Sequence, residues 1–424
     1  MCIRDRARFC RRGIAGTGAA CQWRGMLALR LIAQDRALQL VTLAFLVHGT
    51  FAASLVPYRS LLGVEWFGLS DGMFSLVFAL GSTLSLFCAI GVGILTDRTG
   101  RRRNAARLAS ASAVTGAALV FLVDQTWAFV LAHVLFFPIG MTLFSQLFTL
   151  ARLAASVHPP ETRTALLSAI RAAFAVPFVL VLPVWSVVLS AGVPLIWVYG
   201  VCAMAEAMTL TLFLLAWPRD GGTRWKDAPS GLTLVGALRE LAEPRVVGRS
   251  ALVVLVLSGV QIYLILVGLV LTGFEGRDAG DVAIFAGAVA GLEIPFMLML
   301  ATPLARFGQV KTIAFGALVY AAFVGLMPVL GPSPAVWILP ILGALGGAII
   351  LTVPNAFLQD LMDARPGAGG SLIALSNLAA QLLAAGIFAG GTALGGYGLV
   401  AWIAALVISA GGLGLAWRGG NNTA

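Results

Sequence analysis

The run Gly93-Ile94-Leu95-Thr96-Asp97-Arg98-Thr99-Gly100-Arg101-Arg102-Arg103 lies between two long apolar segments. It reads as a short charged hairpin joining two membrane helices. Glycine stands where the backbone must leave helical angles. A cluster of arginines beside a membrane span belongs on the cytoplasmic side. Composition agrees: 59% of the chain is hydrophobic and only 11% charged, against roughly 25% charged residues in a soluble domain. Mean hydropathy is +0.95. Such a chain cannot cover a soluble surface and reads as a polytopic membrane protein.

A span needs about 20 mostly apolar residues. Working outward from the hairpin, twelve such runs are expected, at 37–58, 72–95, 105–123, 127–150, 164–189, 193–217, 250–273, 280–304, 310–330, 335–357, 370–394 and 397–417. Turn residues mark the shortest breaks, as in Asp124-Gln125, Gly331-Pro332-Ser333-Pro334 and Gly395-Gly396-Tyr397-Gly398. With both termini inside, all but three of the 28 Lys and Arg fall in cytoplasmic segments or the span ends adjoining them. The exceptions are Arg59 and Arg277 in outer loops and Arg171 within the fifth span. One miscounted span would destroy this asymmetry. The net charge of +10 is therefore cytoplasmic-loop arginine rather than a nucleic-acid surface.

The expected organisation is a basic N-terminal segment at 1–25, a six-helix bundle at 26–217, a cytoplasmic linker at 218–249, a second six-helix bundle at 250–418 and a tail at 419–424. Residues 1–25 hold six arginines against one acid and lack the apolar core of a signal peptide. They read as non-native sequence before a start at Met26, or as a basic tail. An internal echo supports two repeated bundles. Ala305-Arg306-Phe307-Gly308 occupies the place of Asp97-Arg98-Thr99-Gly100, one half later. Gly343 with Gly347, and Gly386 with Gly390, form GxxxG pairs of the kind that let membrane helices approach closely.

The 93–103 run resembles the signature of the loop between the second and third helices of major facilitator superfamily transporters, with Thr96 where a smaller residue is usual. The resemblance covers residues 37–417 and implies an all-α membrane protein of twelve helices in two pseudo-symmetric bundles. It implies that Gly93, Asp97, Arg98, Gly100, Arg101 and Arg102 form a conformational latch. Asp97 would face the helix N-terminus near Gly367-Ala368-Gly369-Gly370-Ser371, where a carboxylate is favourable; pairing with Arg101 is the plainer alternative. Three further blocks are similar to bacterial sugar efflux transporters: Gln146 to Arg152, Gly291-Leu292-Glu293-Ile294-Pro295, and Gln359-Asp360-Leu361-Met362 followed by Arg365. That resemblance implies export of small sugars, in exchange for protons. The chain departs from it at Val181-Leu182-Pro183, where relatives commonly read Gly-Pro, and in 263–268, which holds no acid.

Ionisable groups inside spans are functional candidates by default. Arg171, roughly 12 Å along its helix from Arg163 at 1.5 Å per residue, and Glu293 lie at similar depths on helices that adjoin in this superfamily. They are expected to approach in at least one state and to couple opening to protonation, or to form a permanent pair. His48 is expected to bind substrate or carry a proton, or to be satisfied by a neighbouring helix. Glu206 is expected to face away from the cavity, and His133 to be interfacial. Gln146, Gln261, Asn355, Asn377 and Gln381 offer amides that donate and accept, which suits sugar hydroxyls. Tyr58, Trp66 and Tyr263 could stack on a sugar face.

Other classes find little support. Three His without metal-ligand spacing and five scattered Cys argue against a metal site or a disulfide framework. Gly68-Leu69-Ser70-Asp71-Gly72 matches a nucleophile-elbow pattern but reads as a loop and helix start. No P-loop pattern is present. No enzyme activity, cofactor, catalytic residue or nucleic-acid partner is expected. The expectation is a monomeric multi-pass transporter of the bacterial inner membrane, moving a small sugar or polar metabolite. A drug or amphiphile exporter, or a sensor on the same fold, is the alternative.

Overall fold

The computed structural model describes residues 27–219, 223, 225, 243–362 and 366–420. The expected basic segment at 1–25, the start at Met26, most of the linker, Arg365 and the tail beyond 420 lie outside the described residues, as do the side chains of residues 366–370. The described residues hold eleven helices long and apolar enough to cross a membrane. In chain order these are α1 (Arg36–Leu55), α2 (Asp71–Thr99), α3 (Arg102–Val123), α4 (Thr126–Ala155), α5 (Pro160–Ser190), α6 (Trp197–Ala216), α7 (Pro244–Thr272), α8 (Ala279–Met299), α9 (Ala301–Leu330), α10 (Leu339–Asp360) and α11 (Pro366–Gly420). The last runs through Gly395 (φ −171°) and Gly396 (φ 75°, ψ −168°), where its backbone leaves helical angles and two helical arms meet.

Local chemistry sets the ends. Ser70 caps α2, its Oγ accepting from the Met73 amide at 3.3 Å, so the Gly-x-Ser-x-Gly run is a helix start. Asp278 and Asp281 form a reciprocal capping box at the start of α8. α2 ends on Gly100 at φ 65°, and the echoing Gly308 at φ 75° breaks α9 after its first turns. Both copies of the hairpin thus turn on a glycine in the half of backbone space that a Cβ disfavours. α7 begins at Pro244, six residues earlier than expected.

Helices α1–α6 pack chiefly among themselves, as do α7–α11. The two groups meet where α5 crosses α8, where α2 crosses α11, and where α7 passes the Arg59–Leu61 turn. Among the described residues, every hydrogen bond and ring contact between the groups lies in the half remote from the 97–103 hairpin. Tyr58 donates to the Ala279 carbonyl at 3.3 Å, Ser190 to Asp278 at 3.3 Å, and Tyr397 to Asp71 at 3.1 Å. Phe74 meets Phe388 edge-on at 6.0 Å, and Phe388 stacks on Tyr397 at 6.0 Å. Small residues allow this approach: a Cβ on Gly280 would come within 2.9 Å of the Ser186 carbonyl, and one on Gly268 within 3.1 Å of Leu61. The GxxxG expectation divides. Gly343 packs on Phe323 and Gly347 on Glu293, whereas Gly386 and Gly390 meet open space and Gly391 takes the close contact, with Val400.

Candidate functional site

Between the two groups lies a cavity of about 330 Å³. Its walls come from α1 (Phe51, Leu55), the turn beyond it (Arg59), α2 (Phe74, Phe78, Ser82, Ser85), α4 (His133, Phe137, Met141), α7 (Gln261, Leu264) and α11 (Gln381). α4 reaches this position through a wide turn at Ala132–Phe136. Pro138 lacks the amide that would continue the regular ladder, and such one-turn widenings re-aim the side chains they carry. Gly81 lets α2 lie against this turn, since a Cβ there would come within 2.5 Å of the His133 carbonyl oxygen.

His133 corrects the expectation of an interfacial residue: it is buried and faces the cavity. Its Nδ1 lies 2.9 Å from the Phe129 carbonyl, which can only accept, so the proton sits on Nδ1. Nε2 then accepts from the Tyr199 hydroxyl at 3.4 Å. Both nitrogens are engaged in the neutral form. Arg59, assigned from sequence to an outer loop, stands in the cavity wall with its guanidinium 4.5 Å over the Phe78 ring. The guanidinium has no hydrogen bond or ion pair with any described residue. Burial lowers its pKa to about 10; at neutral pH it remains charged.

Of the seven cavity candidates read from sequence, Gln261 and Gln381 line this space. Neither amide has a hydrogen bond to a described residue, so both keep donor and acceptor capacity. The other five lie elsewhere. His48 is buried and its Nδ1 sits 2.6 Å from Glu206 Oε1 on α6, with Phe51 stacked on the ring at 5.7 Å. Its neighbouring-helix partner is thus a residue expected to face away from the cavity. Gln146 is buried with its Oε1 unsatisfied, and Tyr263 is buried with its hydroxyl unsatisfied beside Tyr320 and Phe323. Asn355 and Asn377 each donate to their own helix, four residues back. Tyr58 and Trp66 serve the closed end instead, Trp66 donating to Asp124 at 2.8 Å. The aromatic surface of the cavity comes from phenylalanines.

The structure does not pair Arg171 with Glu293. Arg171 is exposed without an ion pair among the described residues, and the Glu293 carboxylate lies against Gly347. In the hairpin, Arg102 donates to Asp97 at 2.7 Å and to Thr96 Oγ1 at 3.3 Å. Thr96 is buried and its hydroxyl also donates back to the Val92 and Gly93 carbonyls, which gives the larger residue a place. Arg98 and Arg101 flank this pair at the helix ends. Arg103 and Arg107 donate to the Phe213 and Leu214 carbonyls at the end of α6, binding orphan acceptors at the negative pole of that helix.

Comparisons with known proteins agree with this architecture. No family model matches the chain. A curated protein of Deinococcus radiodurans, provisionally named a sugar efflux transporter, is 24% identical over 351 residues, covering 81% of this chain and 88% of that protein. The solved nucleoside transporter NupG superposes with a TM-score of 0.74 at 15% identity, over 90% of this chain and 97% of that one. A D-xylose–proton symporter does so with a TM-score of 0.62 at 18% identity, over 90% and 96%. The fold is shared with these solved transporters.

Proposed function

We propose that this chain is a secondary transporter working by alternating access. On this reading it has twelve spans in two six-helix bundles, both termini cytoplasmic, in a bacterial inner membrane. The observation that carries the proposal is a cavity shared by both helix groups, with the hydrogen bonds and ring contacts between them, among the described residues, lying at one end. Rocking the groups about that arrangement would expose the cavity first to one side and then to the other. Treating the two arms of α11 as separate spans gives twelve. A single span of 48 residues would be far longer than a bilayer core of about 30 Å requires.

The cargo we propose is a small sugar or related polar metabolite, moved outward, with proton exchange as the coupling. Support comes from the likeness to the Deinococcus protein and from the lining, which mixes phenylalanine faces with two amides, two serine hydroxyls and one guanidinium. At about 330 Å³ the cavity lies at the lower end of the roughly 300–1,000 Å³ seen for ligand sites. A monosaccharide suits it better than a large amphiphile. The four phenylalanines favour the second reading, a drug exporter. The test is flux of labelled glucose and lactose in proteoliposomes of the full chain, with and without a pH gradient. Gradient-driven flux that Glu293→Gln abolishes supports sugar–proton exchange. Flux indifferent to the gradient refutes proton coupling, and absence of sugar flux by folded protein refutes the sugar reading.

A further inference from the structure

We propose that the cavity binds an anionic cargo, a sugar acid whose carboxylate pairs with Arg59. The proposal rests on the transporter reading for movement of the cargo, but not for its binding. Arg59 is a cation in the wall of a closed-ended cavity, and no Asp or Glu stands among the described residues that line it. A charge removed from water is costly unless it is paired. Two of the chain's own acids at this end are committed elsewhere, Asp71 to Tyr397 and Asp278 to Ser190 and its capping box. His133 adds no second cation, because its nitrogens are both engaged as a neutral ring.

The geometry prepares the guanidinium for one kind of guest. Its central carbon lies 4.5 Å from the Phe78 ring centre, and its N–H groups, bonded to no described residue, are left for a planar acceptor. A carboxylate matches that fork with two parallel hydrogen bonds. Gln261 and Gln381, on the opposite helix group, supply donors and acceptors for hydroxyls. A ligand holding its carboxylate on one helix group and its hydroxyls on the other would bridge the two bodies that must move. A neutral sugar would satisfy the amides and leave the cation unmatched.

The test uses the full chain in nanodiscs and two sugars of one ring, D-glucuronate and D-glucose, titrated by calorimetry against wild type, Arg59→Gln and Arg59→Lys. The expected result is glucuronate binding at least tenfold tighter than glucose. Arg59→Gln should weaken glucuronate at least tenfold and weaken glucose by a much smaller factor. Arg59→Lys should lie between, keeping the charge but losing the fork. Equal affinity for the two sugars, glucuronate binding indifferent to Arg59→Gln, or no glucuronate binding by folded protein would each overturn the proposal. Flux in proteoliposomes separates the two ideas. Glucose moved as well as glucuronate sinks the anionic cargo and leaves a transporter. Glucuronate bound through Arg59 but never moved leaves the site and sinks the transporter.

Discussion

Replacing Tyr397 by Phe should loosen the closed end of the molecule without touching its cavity. The tyrosine hydroxyl donates to Asp71 Oδ1 at 3.1 Å across the two helix groups, and Phe keeps the ring stack on Phe388. A hydrogen bond to a charged group contributes about 1.5–3 kcal/mol. Both partners are only partly buried, which argues for the low end. About 1.5 kcal/mol that exists only in the closed arrangement shifts the equilibrium roughly tenfold toward opening. The assay is pulsed electron–electron resonance between spin labels at Met73 and Leu394, exposed positions flanking the contact. The distance distribution should gain a longer population in Tyr397→Phe. An identical distribution in the variant and its parent would show that this bond does not hold the end shut.

Glu206→Ala leaves the buried His48 ring without its hydrogen-bond partner, so it should cost about 1–3 kcal/mol and lower the melting temperature in detergent far more than Glu206→Gln, which keeps an acceptor for the ring; equal losses would count against the hydrogen bond as the source of the stability. Gly49→Ala drives a Cβ to 2.5 Å from the Phe174 carbonyl oxygen, a backbone atom that cannot swing aside. The cost should be about 1–3 kcal/mol, read as reduced thermal stability and separation of α1 from α5. Arg103→Ala removes donors to two carbonyls at the end of α6. Protease cleavage near residue 214 should speed up, whereas an unchanged rate would mean Arg107 suffices.

What sequence made legible was set by periodicity and charge sign. The runs of apolar residues are long and the arginines uneven, so span positions and the paired hairpins at Gly100 and Gly308 could be read directly. Gln261 and Gln381 were legible because an amide in an apolar helix needs a partner or a ligand. Arg59 was missed because it follows Pro57-Tyr58 past the end of an apolar run, where a cation ordinarily meets water; that the turn folds back against Phe78 depends on packing from α2. His133 was missed for a related reason: its depth depends on a widened turn, and the only local signal was Pro138, five residues on. The Glu206–His48 pair joins residues 158 positions apart, a separation for which a single sequence has no register.

The corner at Gly395-Gly396 has a mechanical consequence. Two residues are too few to act as a slack tether, and Tyr397 folds back onto Phe388 immediately after them. The two arms of α11 therefore form a stiff bell-crank rather than two independent rods. A tilt of the first arm, which carries Gln381 at the cavity, is delivered to the second arm and to the Asp71 contact at the same pivot. A tilt of the first arm on filling of the cavity would therefore load the Tyr397–Asp71 contact at the closed end.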